Sequence, residues 1–206
     1  MPTGATASIS YFDELVNFAK ENNILIVNDN PYSFILNDNP VSFLYVDSSF
    51  DHCLELNSLS KSHNMAGWRV GMLVGSKNNI DTILKVKSNI DSGMYYGIQK
   101  GAIEALGLNS SWYKSMNKIY KERREIVYKI CDKLGLTYDK NSTGMFVWAK
   151  INSLNTSSIE FVDNLLYSKE IFITPGSIFG TNGEGYVRLS LCLNQDKLNE
   201  ALNKLL

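Results

Sequence analysis

Histidine and cysteine are both scarce in this chain, at two and three among 206 residues. His52 and His63 form no ligand pattern with Cys53, Cys131 and Cys192, so a metal site is not expected. The three cysteines are odd in number, widely spaced and set among apolar residues. That usage predicts reduced, buried thiols rather than a disulfide framework. A surplus of either charge is missing too: 20 Lys and Arg stand against 21 Asp and Glu, a net charge of -1. Such balance argues against nucleic acid or a membrane surface as partner. No apolar run reaches the ~18 residues that a membrane span needs. The opening MPTGATASIS has neither the basic nor the apolar region of a signal peptide, so a cytoplasmic location is expected.

What is present suits one large globular domain or two small ones, with 44% hydrophobic residues. Periodicity predicts a helix over 10–22, with Phe12, Leu15, Val16 and Ala19 on one face and Ser10 as its cap. The β-branched run 24–27 reads as a buried parallel strand that ends in a turn over Asn28, Asp29, Asn30 and Pro31. Further strands are expected at 43–46, 53–56 and 70–74. Helices are expected at 79–88 and 97–107, and a longer one from Ser110 or Ser111 to Leu134, stopped by Gly135. Beyond it the pattern gives strands at 145–148, 171–173 and 187–191, and helices at 159–167 and 194–206. The first part alternates helix and strand as an α/β sheet does, and the second resembles a small α+β domain. The sheet part is short of strands, and MPTGA has no strand before it. The expectation is therefore a chain that lacks an N-terminal half.

Several residues could carry chemistry. Lys61 follows the strand at 53–56, and open α/β sheets place their chemistry at such strand ends. A nucleophilic amine needs desolvation or a neighbouring cation, for which Arg69 is a candidate. Taken alone, a solvated surface lysine is the ordinary reading. Ser58, Ser60 and Arg69 together could hold a phosphate, with Ala66 and Gly67 permitting close backbone approach. A capped, solvated turn is the alternative. Asp29 and Tyr32 follow the strand at 24–27 and should lie at the same sheet end as Lys61, where a carboxylate and a phenol could grip a ring. They could equally close a turn and pack. Arg188 interrupts an apolar strand, a costly position unless it is paired. It either faces a cleft and a carboxylate ligand or points outward from an edge.

Four segments, NDNPYSF, SLSKSHNMAGWRVG, PGSIFG and GYVRLSLC, occur in this order. Together they resemble the class I/II aminotransferases, pyridoxal-phosphate enzymes of the aspartate aminotransferase fold, along the whole chain. The resemblance implies that 1–110 is the C-terminal part of the large cofactor-binding sheet domain and 111–206 the small C-terminal α+β domain. It implies that Lys61 holds pyridoxal 5'-phosphate as an imine and shuttles a proton. Asp29 would keep the pyridine nitrogen protonated, Tyr32 would bond the ring's phenolic oxygen, and Ser58, Ser60 and Arg69 would hold the phosphate. Arg188 would clamp the substrate α-carboxylate. An amino acid and a 2-oxo acid would be the substrates, and a homodimer the assembly of the full-length protein.

The sequence also departs from the family. The family's motif Asn-Pro-Thr-Gly has Met1 in place of its Asn, and that Asn contacts the phenolic oxygen. Acid-specific members carry an arginine near 89–96, where this chain has NIDSGMYY. Two alternatives stay open: a lyase or decarboxylase of the same family, and a folded fragment that takes no cofactor.

Overall fold

Ser8, two residues before the expected cap, starts the first helix. Its hydroxyl accepts from the Tyr11 N–H at 3.1 Å, and Ser10 bonds back to it at 2.9 Å. The computed structural model describes residues 1–47, 50–153 and 156–206. The chain divides into two compact units, residues 7–113 and residues 1–6 with 114–206.

In the first unit, α1 (Ile9–Asn22) ends where Asn23 turns left-handed. It buries Val16 against Phe43 and Cys53, with Phe12, Leu15 and Ile26 packed around them. The strand β1 (Ile26–Asp29) runs parallel to β2 (Cys53–Ser58), Asp29 level with Leu56. A single helical turn, α2 (Leu59–Ser62), follows, and β3 (Gly71–Val74) returns antiparallel to β2. The sheet order is β1-β2-β3. The helices α3 (Lys77–Ile90) and α4 (Tyr96–Leu106) come next, and then the long α5 (Ser110–Lys133) begins.

Four further expectations for this unit are corrected. Pairing begins two residues late, so Asn28 and Asp29 belong to the strand and the turn follows Asn30. The run at 24–27 is not buried: Val27 is 52% exposed, because β1 is an edge strand and α1 covers its opposite face. Residues 43–46 form no strand but a 3-10 turn, Phe43–Tyr45. The Phe43 N–H is taken by the Glu55 carboxylate and the Leu44 N–H by Ser42, which leaves no ladder donors there. At the start of α5 the capping side chain is Asn109, which accepts from the Ser111 N–H at 2.9 Å.

The second unit is an antiparallel sheet of order β4-β5-β7-β6. Gly135, at φ +66°, ends α5 and feeds β4 (Leu136–Tyr138), too short and polar to show in the periodicity. Strand β5 (Phe146–Ile151) alternates, burying Val147, Ala149 and Ile151. A reciprocal Ser157–Glu160 capping box starts α6 (Ser158–Lys169). Then come β6 (Thr174–Pro175), β7 (Tyr186–Ser190) and α7 (Gln195–Asn203), capped by Asn194. The core combines Val127, Ile130 and Cys131 of α5 with Val187 and Leu189 of β7 and Val162 of α6. Each such side chain contributes about 1.5–3 kcal/mol by leaving water. The first residues join this unit: the Thr143 N–H donates to the Gly4 carbonyl at 2.9 Å.

Two expectations fail here. Ile171 and Ile173 are buried but form no strand, since their alternation reports burial rather than a backbone partner. Cys192 is exposed, whereas burial pushes the Cys53 and Cys131 thiols up to about 12. All three cysteines are free. Among the described residues no helix is long and apolar enough to cross a membrane.

Candidate active site

Because β1 and β2 are parallel, their carboxyl ends fall at one end of the first sheet. Asp29 closes β1 there and is exposed. Ser58 closes β2 and caps α2: its hydroxyl accepts from the Ser60 N–H at 3.1 Å and lies 2.9 Å from the Ser60 hydroxyl. The third residue of α2 is Lys61, half-buried, with Nζ 5.8 Å from the centre of the Tyr32 ring. A cation over a phenol face at that distance gains about 0.5–1 kcal/mol. The structure thus gathers Lys61 and Tyr32, and pairs Ser58 with Ser60.

Arg69 lies on the return from α2 to β3, two residues before Gly71, the ladder partner of Ser58. It is exposed and left-handed at φ +53°, and its Nη1 donates to the Ala66 carbonyl at 2.9 Å. A methyl on Gly67 would meet nothing within 4 Å, so no described residue demands glycine there.

A second layer was not legible in the sequence. His63 is buried, its Nδ1 2.8 Å from the Ser62 hydroxyl and its Nε2 3.2 Å from the Tyr113 hydroxyl. Burial holds the His63 ring below its ordinary pKa. The Trp112 indole N–H donates to the Ser62 carbonyl at 2.9 Å, and Tyr113 stacks on Phe34 at 5.1 Å. The first turn of α5 therefore holds both the turn that carries Lys61 and the loop that carries Tyr32. Only adjacency to Lys61 in SLSKSHN could have drawn notice to His63.

In the second unit, Arg188 stands on β7 between β5 and β6, so it is not an edge arginine. It is half-buried, its guanidinium carbon 4.1 Å from the Phe146 ring centre and 4.6 Å from that of Phe179. Trp148, its ladder partner, stacks on Tyr186 at 5.2 Å and meets Phe179 edge-on at 5.7 Å. The guanidinium thus lies against two aromatic rings, and its planar fork is of the kind that can grip a planar anion.

An α/β unit presenting an amine, a phenol, a carboxylate and hydroxyls at its strand ends, followed by an antiparallel α+β unit, is the architecture of fold type I enzymes. The model of the family aminotransferase class I and II matches residues 1–205, and the chain belongs to that family. It is 40% identical over 207 residues to an LL-diaminopimelate aminotransferase of Maridesulfovibrio salexigens, covering 99% of this chain and 53% of that protein. The corresponding enzyme of Aquifex aeolicus is 38% identical over 206 residues, with the same shares. Among solved structures, apo-BacF from Bacillus subtilis superposes with a TM-score of 0.90 at 35% identity, over 99% of this chain and 52% of that one. An aromatic aminotransferase from Pyrococcus horikoshii gives 0.88 at 30% identity, over 99% and 56%. The chain spans about half the length of the relatives it matches.

Proposed function

We propose that this chain supplies the lysine-bearing part of an aminotransferase that moves an amino group between an amino acid and a 2-oxo acid with pyridoxal 5'-phosphate. The observation that carries the proposal is the half-buried Lys61 amine over the Tyr32 ring, at the sheet end that also holds Asp29 and Ser58. The donor set suits that cofactor: an amine for its aldehyde, a carboxylate for its ring nitrogen, a phenol for its ring oxygen, and hydroxyls with a guanidinium for its phosphate. When bound, pyridoxal phosphate supplies an aldehyde that exchanges amines and a ring that withdraws electrons from the substrate Cα.

The residues divide the remaining work. Lys61 would hold the cofactor through its aldehyde carbon, and its amine, when free, would take the proton from the substrate Cα. Asp29 holds a proton on the ring nitrogen by its negative charge. Tyr32 donates to the ring oxygen from its loop. Ser58, Ser60 and Arg69 orient the phosphate, and Arg188, beside the Phe146 and Phe179 rings, takes the substrate α-carboxylate as a two-pronged pair. The relatives' name makes LL-diaminopimelate the donor to test first. A homodimer is the proposed assembly of the whole protein.

The half-length match to relatives and the unpaired outer edges of β1 and β3 among the described residues support a second reading, a folded chain that takes no cofactor by itself. Titration with pyridoxal phosphate, followed by visible absorbance, separates the two. A band that saturates at one equivalent, is absent in Lys61→Ala and bleaches with LL-diaminopimelate is the expected result. A wild-type chain that gives the same weak band as Lys61→Ala would leave only the second reading. Recovery of an oxo acid identifies transamination, and release of carbon dioxide or an eliminated group instead identifies the decarboxylase or lyase.

A further inference from the structure

Glu55 lies in the middle strand β2 and is 7% exposed. Its carboxylate accepts four hydrogen bonds. The Asn28 and Asn30 amides donate at 3.4 and 3.2 Å, the Ser42 hydroxyl at 2.8 Å and the Phe43 N–H at 2.8 Å. Four donors on one buried carboxylate offset the cost of taking its charge from water.

The donors come from two segments. Asn28 and Asn30 flank Asp29, and strand alternation turns Asp29 to the opposite face. One carboxylate therefore fixes the chain on both sides of Asp29 without touching it. Ser42 and Phe43 close the far end of the loop that begins at Pro31 and carries Tyr32. The strand bearing Glu55 itself runs on into Ser58 and Lys61. Glu55 thus joins the three segments that carry Asp29, Tyr32 and Lys61.

From this we infer that Glu55 is a positioning residue: it sets where Asp29 and Tyr32 stand relative to Lys61, and through them the affinity and ionisation of the cofactor-bound amine. The inference rests on the cofactor reading above. The two oxygens are loaded unequally. Oε2 accepts from Asn28, Ser42 and Phe43, and Oε1 from Asn30. Glu55→Gln keeps an oxygen for the three-bond site, and Asn30 needs only an amide rotation to meet the new NH2. Glu55→Leu keeps the volume and removes every acceptor.

The test uses the full 206-residue chain. Before any cofactor is added, NMR contacts between the Tyr32 ring and the Lys61 side chain are expected in wild type and Glu55→Gln and lost in Glu55→Leu. With pyridoxal phosphate, the dissociation constant of Glu55→Leu should rise on the order of tenfold, the size usual when a group acts through others. The pKa of the absorbance band should shift with it, while Glu55→Gln stays within about threefold. Glu55→Leu retaining the Tyr32–Lys61 contacts overturns the inference, as does an unchanged band pKa in a chain that binds. If wild type takes no cofactor, that reading falls, and the cofactor-free contacts alone decide this one. If Glu55→Leu does not fold, Asn30→Ala removes one donor to Glu55 and leaves the Ser42 cap of the 3-10 turn in place. It should weaken the same contacts, and intact contacts overturn the inference.

Discussion

A methyl group on Gly176 would come within 2.1 Å of the Gly183 carbonyl oxygen and 2.6 Å of the Tyr186 carbonyl oxygen. Both are backbone atoms at the entrance to β7, so nothing flexible can yield. This close crossing folds the segment 176–183 back on itself and leads into β7, where Arg188 stands beside the Phe146 and Phe179 rings. Gly180 differs: it sits at φ +107°, but an added methyl there would meet nothing within 4 Å. Gly176→Ala should therefore cost about 3 kcal/mol, the upper end for an overpacked site. Gly180→Ala should cost about 2 kcal/mol, as backbone strain alone, since φ +107° with ψ 175° is a conformation that glycine alone adopts readily. Urea denaturation of the two variants measures both, and a Gly176→Ala cost below that of Gly180→Ala would mean that the close backbone crossing at Gly176 is not what excludes a side chain. At this scale Arg188 was readable from the sequence, because a guanidinium in YVRLSL demands a reason. Its aromatic neighbours were not, since Phe179 lies nine residues away and Phe146 on another strand.

At the scale of elements, the first turn of α5 does more than begin a helix. Trp112 and Tyr113 bind the Ser62 carbonyl and the His63 ring, and Tyr113 also stacks on Phe34. Both partners of the His63 ring are hydroxyls, and burial favours the neutral form of the ring. The sign of the pH effect follows. The folded-state pKa lies below the unfolded value of about 6.5. Above that value the contribution of His63 is constant, and as pH falls from there toward the depressed folded value the unfolded chain takes up a proton first. Stability should fall through that window by at most about 1.4 kcal/mol per pH unit. The slope should flatten in His63→Gln, as read from urea midpoints across the pH series. An unchanged slope in that variant would assign the acid sensitivity to other groups. The helices and the strands β2, β3, β5 and β7 were legible because apolar spacing is a local property. The 3-10 turn at Phe43 was not, because Glu55, twelve residues on, claims the N–H that a strand would have used. The same non-locality hid His63: its partner Tyr113 is fifty residues away.

At the scale of the whole chain, the two units differ in how they bury apolar surface. The helix α3 has no buried residue, and its Val86 and Ile90 are 62% and 77% exposed. It is held by the Ser76 cap, the Asn79 amide on the Asp51 carbonyl, and the Lys77–Asp81 and Lys87–Asp91 ion pairs. Exposed pairs of that kind contribute little, and an isolated helix of this length is marginal in water. The first sheet has three strands, whereas β5 and β7 are each flanked by paired neighbours and bury Val147, Ala149, Val187 and Leu189. Local stability follows buried contact, so the units should not open together. Hydrogen exchange at rising urea should show the amides of α3 losing protection first, then those of β1 and β3. The amides of β5 and β7 should hold to distinctly higher urea. Exchange by all of these amides at one common midpoint would mean a single cooperative molecule and would overturn this ordering. With the expected order, the sheet end that carries Lys61 belongs to the less stable unit. Cofactor binding should then raise the protection of β1, β2 and β3 well before it changes that of β5 and β7.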